Sequence, residues 1–317
     1  MGNHNTIAAG IDTAKAKLDV AIRDVKGCWK FGNERAGWQE LEVLLRQHEV
    51  ERVGIEATGG YEKGVVEYLR AAGFGVLVIQ PVQLRAFAKL LLRRAKNDRI
   101  DAALIAAFTA GQEQLRAPND PRLTAMAEAL TFIEQTEDDI ARLKVRLEHI
   151  SDKGLRRTLL SDIQRLKSRR MMLLAKLTKE LNRSDDLKSR LALIQSIPGI
   201  GLRTALALMI RMPELGSLTR EQAAALAGLA PFDRDSGNHH GERHIEGGRK
   251  RLRRSLYAAA LAAAFHWNPE IKAIYRRLVG RGKAHNQALV ACARKLLIYA
   301  NTVVARGTPW LAEPRCS

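Results

Sequence analysis

The sequence predicts an α/β domain followed by helices, and three observations lead there. Short β-like runs and amphipathic stretches alternate from Thr6 to Gln80, apolar residues recur at steps of three, four and seven from Pro121, and the pattern after Ser189 is globular and helical. The expected units are residues 1–120 as the α/β domain, 121–188 as a coiled-coil helical arm and 189–317 as a helical domain. A chain of 317 residues has ample length for such a division.

IAAGID (7–12) and KLDVAIRD (17–24) are β-like runs separated by a tight turn, and CWKFGN (28–33) reads as a third antiparallel strand. A helix over 35–48 follows. VGIEAT (53–58) and VLVIQP (76–81) are apolar enough for buried strands, and the amphipathic stretch Tyr61–Ala72 between them is stopped at Gly73. Three meandering strands followed by α-β-α-β is the order of a ribonuclease H-like domain. Residues 82–115 read as mostly helical and basic, with Arg85, Lys89, Arg93, Arg94, Lys96 and Arg99 around two aspartates.

Leu123, Met126, Leu130, Ile133, Ile140, Leu143, Leu147 and Ile150 have the spacing of a coiled-coil seam, SDKG (151–154) interrupts it, and Leu155 to Leu181 continues it. A helical hairpin results, each arm ~40 Å long at ~1.5 Å per residue. It reads either as a projecting arm that assembles a homo-oligomer, dimer or tetramer, or as a plain bundle on the first domain; the arm is preferred. LIQSIPGIGLRTALALM (193–209) has the form of a helix-hairpin-helix, in which Pro198, Gly199 and Gly201 supply a turn that a DNA backbone can approach. Glycine is also the ordinary helix terminator, so a mere connection is the competing reading. A Gly-, His- and Asp-rich loop over 231–248 leads into RKRLRR (249–254), then an alanine-rich helix over 255–265 and helices near 268–280 and 284–305.

Lys and Arg number 52 against 34 Asp and Glu, a formal charge of +18 that makes nucleic acid the default partner and leaves membrane surfaces or acidic proteins open. Cys28, Cys292 and Cys316 form no CxxC pair, which excludes a disulfide scaffold and a cysteine zinc site and fits a reducing cytoplasm. No apolar run approaches the ~18 residues of a membrane span, and Ile7–Ile11 enters a strand with no signal-peptide flank. Aromatic residues are only 5% of the chain, which argues against extensive base stacking. Backbone recognition by Arg93, Arg94, Lys96, Arg249, Lys250, Arg251, Arg253 and Arg254 is the expectation.

Four carboxylates carry the chemistry: Asp12 and Glu56 at the ends of apolar strands, Asp98 and Asp101 at i, i+3 on one helix face. Alone, Asp12 is an ordinary turn cap, and GIDTA also echoes the first phosphate motif of actin-like sugar kinases, although no second glycine-rich phosphate loop accompanies it. Glu56 follows a buried strand, where a charge without a partner costs several kcal/mol. Converging carboxylates cannot all stay ionised without a cation, so Mg²⁺, or Mn²⁺ in its place, is expected, and a basic chain holding such ions points to phosphodiesters as its substrates. His239, His240 and His244 near Glu242 and Glu246 resemble a transition-metal cluster, but without cysteines or HExxH a substrate-contacting loop is preferred.

GIDTAKAKLDVAI, IEATGGYE, KNDRIDAALIAAF, SIPGIGLRTA and the SG…G…RKRLRRSLY stretch, in this order over nearly the whole chain, resemble the DEDD transposases of bacterial insertion sequences, the family that includes bridge-RNA-guided recombinases and pilin-gene invertases. The resemblance implies a RuvC-like domain with Asp12, Glu56, Asp98 and Asp101 as metal-holding catalytic residues. It also implies a serine nucleophile at Ser236 in DRDSGNHHG, which sequence alone reads as a turn former. Further implications are double-stranded donor and target DNA, a guide RNA, a phosphoserine intermediate, a site to which another protomer contributes Ser236, and a place in the bacterial cytoplasm at the nucleoid. The rivals are a Holliday-junction-type endonuclease, which uses the carboxylates and water, and a non-catalytic nucleic-acid binder.

Overall fold

The computed structural model describes residues 7–91, 98–112, 120–232 and 244–311, with the side chains of 98–100 and of Phe232 outside that description. The chain divides into two compact units, Met1–Ala117 and Pro118–Ser317.

The first unit contains β1 (Ala8–Thr13), β2 (Lys17–Ile22), β3 (Trp29–Gly32), α1 (Arg35–Gln47), β4 (Arg52–Glu56), α2 (Lys63–Ala71), β5 (Gly75–Ile79), α3 (Pro81–Leu90) and α4 (Asp98–Ala110). Its five-stranded sheet has the order β3-β2-β1-β4-β5. The meander β1–β2–β3 is antiparallel, and β4 and β5 add in parallel beyond β1. Side chains alternate across a sheet, so each strand serves two layers. Ala9, Ile11, Val53 and Ile55 pack with Leu41 and Leu45 of α1 and Val65 and Leu69 of α2. Gly10 and Gly54 face the other way, against α4: a Cβ on Gly10 would strike the backbone of Ala102 and Ala106, and one on Gly54 would strike Thr109 and Ile105. Two glycines thus let a helix lie directly on the strand backbones. Gly73 ends α2 as expected, at φ +93°. Pro81, expected in the last strand, instead opens α3, where its missing N–H costs nothing and Gln80 and Gln83 form a reciprocal cap.

The second unit contains α5 (Pro121–Glu148), α6 (Lys153–Leu181), α7 (Asp185–Gln195), α8 (Leu202–Arg211), α9 (Arg220–Ala227), β6 (Pro231–Phe232), β7 (His244–Ile245), α10 (Lys250–Ala262), a single π-helical turn (Ala263–Trp267), α11 (Pro269–Gly280) and α12 (His285–Arg306). The SDKG break works by capping: Asp152 Oδ1 accepts a 2.8 Å hydrogen bond from the Leu155 N–H at the start of α6. Leu123, Met126, Leu130, Ile133, Leu177 and Leu181, at one end of the α5–α6 hairpin, share a core with α7, α8, α10 and α12. Toward the other end Val145, Leu155 and Leu160 are exposed. The alanine-rich helix begins at Lys250 rather than 255, so most of the basic cluster is helical.

The expectation of no membrane-length run needs correction. α12 is long and apolar enough, with a mean hydropathy of 1.5, although 56% of that stretch is buried inside the unit. Leu289, Cys292, Leu296 and Leu297 are core residues, and burial pushes the Cys292 thiol up to about 11.

Candidate active site

Asp12 and Glu56 lie side by side at one edge of the sheet. In the parallel β1–β4 ladder Ile11 is opposite Ile55, so the next residues of the two strands are neighbours, about 4.8 Å apart in the hydrogen-bonding direction. Two residues beyond Gly10 and Gly54, they share the face on which α4 lies. Gly10 meets α4 at Ala102 and Ala106, Gly54 meets it at Ile105 and Thr109, and Arg52 Nη1, at the start of β4, donates to the Gln112 carbonyl just past the helix. Helix α4 therefore runs antiparallel to β1 and β4. Its first turn, with Asp98 as opening residue and Asp101 one turn on, sits at the carboxyl ends of the strands that carry Asp12 and Glu56. The half-buried Asp12, Glu56 and Asp101 each keep partners within the fold.

The loop after Glu56 is fixed by its own carboxylate. Glu62 Oε2 accepts from the Thr58 N–H at 3.1 Å, the Thr58 hydroxyl at 3.1 Å and the Gly60 N–H at 2.8 Å. Burial opposes its ionisation, but the backbone and hydroxyl donors outweigh burial and hold the carboxyl below its ordinary value. Asn33 Nδ2 donates to the carbonyls of Ala14 at 2.9 Å and Tyr61 at 3.0 Å, tying the β1–β2 turn to this loop.

A fifth carboxylate escaped the sequence reading. Asp19 stands directly across the antiparallel ladder from Asp12, hence on the same face, and is 2% exposed. Lys17 Nζ lies 2.9 Å from one oxygen; Lys30 Nζ lies 3.9 Å from the other, which is buried with no hydrogen-bond partner. The available signal was a charge at an inward position of an otherwise apolar strand, LDVAI. Among the described side chains, which do not include that of Asp98, no three His, Cys, Asp or Glu residues form a group able to hold a metal ion. The donor set is nevertheless all carboxylate oxygen, the chemistry that suits Mg²⁺ or Mn²⁺ rather than a soft metal.

In the helical unit the expected sites fare differently. Gly199, at φ +96°, has its missing Cβ directed at Ala263, so its smallness serves packing, whereas Gly201 faces open space at the start of α8. Of the basic cluster, Arg249 pairs with Glu214 at 2.6 Å, Arg251 with Glu134 at 3.1 Å and Arg254 with Asp138 at 2.8 Å. Arg253 donates to the carbonyls of Gly228 and Gly247. Lys250 has no such partner among the described residues and, with Arg211, Arg249 and Arg251, lines a cavity of about 380 Å³. Glu134, 1% exposed, receives Arg203, Arg211 and Arg251 together. The strand pair β6–β7 joins Phe232 to His244. Ser236, His239, His240 and Glu242 between those strands, and Arg93, Arg94 and Lys96 ahead of α4, lie outside the described residues.

Comparison with known proteins places this architecture in a class. A family model described as "Transposase", of the DEDD type, matches residues 9–158, and a second, "Transposase IS116/IS110/IS902 family", matches 191–276. The pilin gene-inverting protein of Moraxella bovis is 29% identical over 95% of this chain and 96% of its own length. An uncharacterized 43.6 kDa protein of insertion element IS110 from Streptomyces coelicolor is 35% identical over 36% of this chain and 29% of its own. The Thermus thermophilus RuvC structure matches 35% of this chain and 83% of its own, with a TM-score of 0.24 and 18% identity. The chain belongs to the IS116/IS110/IS902 family of transposases, enzymes that recombine DNA.

Proposed function

We propose that this transposase excises and inserts a mobile element by cutting and rejoining DNA with two sets of groups: the carboxylates Asp12, Glu56, Asp98 and Asp101 of a ribonuclease H-like domain, and the hydroxyl of Ser236. The observation that carries the reading is the meeting of the carboxyl ends of β1 and β4 with the first turn of α4, since it gathers those carboxylate positions at one edge of the sheet. Mg²⁺ or Mn²⁺, when bound, supplies positive charge to a phosphodiester and its leaving oxygen. The carboxylates hold that charge in place, and Asp19 beside Asp12 fixes the strand ends through Lys17 and Lys30. Ser236 Oγ forms a bond to phosphorus as the bond to one strand breaks; the leaving oxygen ends as a free hydroxyl. A second strand's hydroxyl then displaces the serine, so the phosphodiester energy is conserved and no ATP is needed.

Phosphate contacts are assigned to Arg93, Arg94, Lys96 and Lys250 and to the open amides beside Gly201. A guide RNA, an oligomer built through the exposed end of the hairpin and Ser236 supplied in trans complete the proposal, on the strength of the family resemblance.

Asp12→Asn, Glu56→Gln, Asp98→Asn and Asp101→Asn should each abolish cleavage of labelled DNA in Mg²⁺ while leaving the circular dichroism unchanged. Ser236→Ala should still bind DNA yet form no covalent adduct on a denaturing gel. Wild-type cleavage by two of the four carboxylate variants, or full activity in chelator, would remove the metal reading. An adduct mapping to another residue would remove Ser236.

A further inference from the structure

The sparse aromatic content of the chain conceals a local concentration. The π-helical turn Ala263–Trp267 extends α10 and places Phe265 and Trp267 in solvent, 42% and 68% exposed. Phe265 packs on Tyr275 of α11 with ring centroids 5.1 Å apart, and the Tyr275 hydroxyl meets His285 Nδ1 at 2.7 Å, so three rings form one patch on the same side of the unit. Behind the turn, Asn268 is buried and rigid: its Oδ1 accepts from the Ile271 N–H at 3.1 Å and its Nδ2 donates to the Pro198 carbonyl at 3.0 Å. A widened helical turn held in this way is a recurrent mark of function.

The charge beside the patch is one-sided. Lys272 and Arg276, at the i, i+4 spacing, share the side of α11 that carries Tyr275, and Arg277, Arg281 and Lys283 follow. Among the described residues no carboxylate lies within ion-pair distance of these five. Between residues 247 and 311 the sequence contains one acidic residue, Glu270, which accepts a 2.7 Å hydrogen bond from the Tyr299 hydroxyl. Exposed rings edged by unneutralised cations suit a ligand that offers flat apolar faces and regular negative charge. A base-paired duplex hides its base faces in the stack; an unpaired strand presents them.

We infer that Phe265, Trp267, Tyr275 and His285, with Lys272 and Arg276, form a stacking platform for unpaired bases of single-stranded DNA. DNA is the substrate of the family to which the chain belongs, and strand exchange unpairs it. The platform is independent of the carboxylates, so its test is run without cleavage. Binding of fluorescently labelled twelve-nucleotide oligothymidylate, oligouridylate and a duplex of equal length is measured by anisotropy in chelator, for the full chain and for Phe265→Ala, Trp267→Ala and Trp267→Phe.

Loss of one stacked base weakens single-strand binding by about tenfold or more, so both alanine variants should show that loss for oligothymidylate while duplex affinity stays within about twofold. Trp267→Phe should retain most of the affinity. Unchanged melting of Trp267→Ala, expected at so exposed a side chain, keeps the result interpretable. Wild-type affinity of both alanine variants, an equal loss on the duplex, or tighter binding of oligouridylate than of oligothymidylate would each overturn the proposal.

Discussion

Glu134→Gln removes the negative charge on which three guanidinium groups converge. Glu134 is 1% exposed on α5; Arg211 on α8, Arg203 on the same helix and Arg251 on α10 have 16%, 25% and 41% of their side-chain surface in solvent. The amide keeps the shape but offers one acceptor in place of two and turns a donor toward another donor. Removing one partner of a buried ion pair costs about 3–5 kcal/mol; the partial exposure of Arg203 and Arg251 puts the expected loss near about 3 kcal/mol. In a unit of this size each kcal/mol moves the midpoint by about 2–4 °C, so the helical unit should melt about 6–12 °C earlier. Scanning calorimetry of the full chain at low and at ~0.5 M salt is the assay, with the difference largely maintained because a buried pair is poorly screened. A shift under about 2 °C, or one that vanishes in salt, would show that Glu134 is not the charge that locks α5, α8 and α10 together.

Gly199→Ala should lower the midpoint of the helical unit, since the new methyl meets Ala263 and φ is +96°, while Gly201→Ala should leave stability within about 0.5 kcal/mol and weaken duplex DNA binding; denaturant titration and anisotropy separate the two. Glu62, whose carboxyl is held below its ordinary 4.5, stabilises the α/β unit fully above that value and loses the contribution as pH falls through the lower folded value. Glu62→Gln should therefore flatten the acid limb of a stability–pH curve below 4.5 and nowhere else, and a parallel curve would contradict the loop geometry. Replacing residues 142–159, which are level across the α5–α6 hairpin, by a short turn should leave the core end of the hairpin intact and abolish assembly in light scattering; an unchanged oligomer would place the interface elsewhere.

Much of the α/β unit was legible because its signals are local. The apolar runs of β1 and β4, the Gly73 stop and the i, i+3 spacing of Asp98 and Asp101 depend on neighbouring residues alone, and the element order follows from them. Long-range partners were not legible. RKRLRR reads as a free basic face, and only the fold reveals that Glu214, Glu134 and Asp138, up to 117 residues away, receive its arginines. Asp19 was hidden for the same reason: a lone charge in a strand becomes informative once its register opposite Asp12 is known. Gly10 carries no periodic signal, yet it decides how closely α4 approaches the sheet.

Helix α12 can be viewed as a segment offered two solvents. By length and mean hydropathy alone it matches a lipid-spanning segment, yet more than half of that stretch is buried among the other helices of the unit. Arg294 and Lys295 stand near its middle, where each costs roughly 3 kcal/mol in a bilayer but reaches water from the docked helix, Lys295 lying over the Tyr299 ring at 5.1 Å. Two adjacent cations thus bias the partition toward the protein's own core without disturbing the apolar face that fills it.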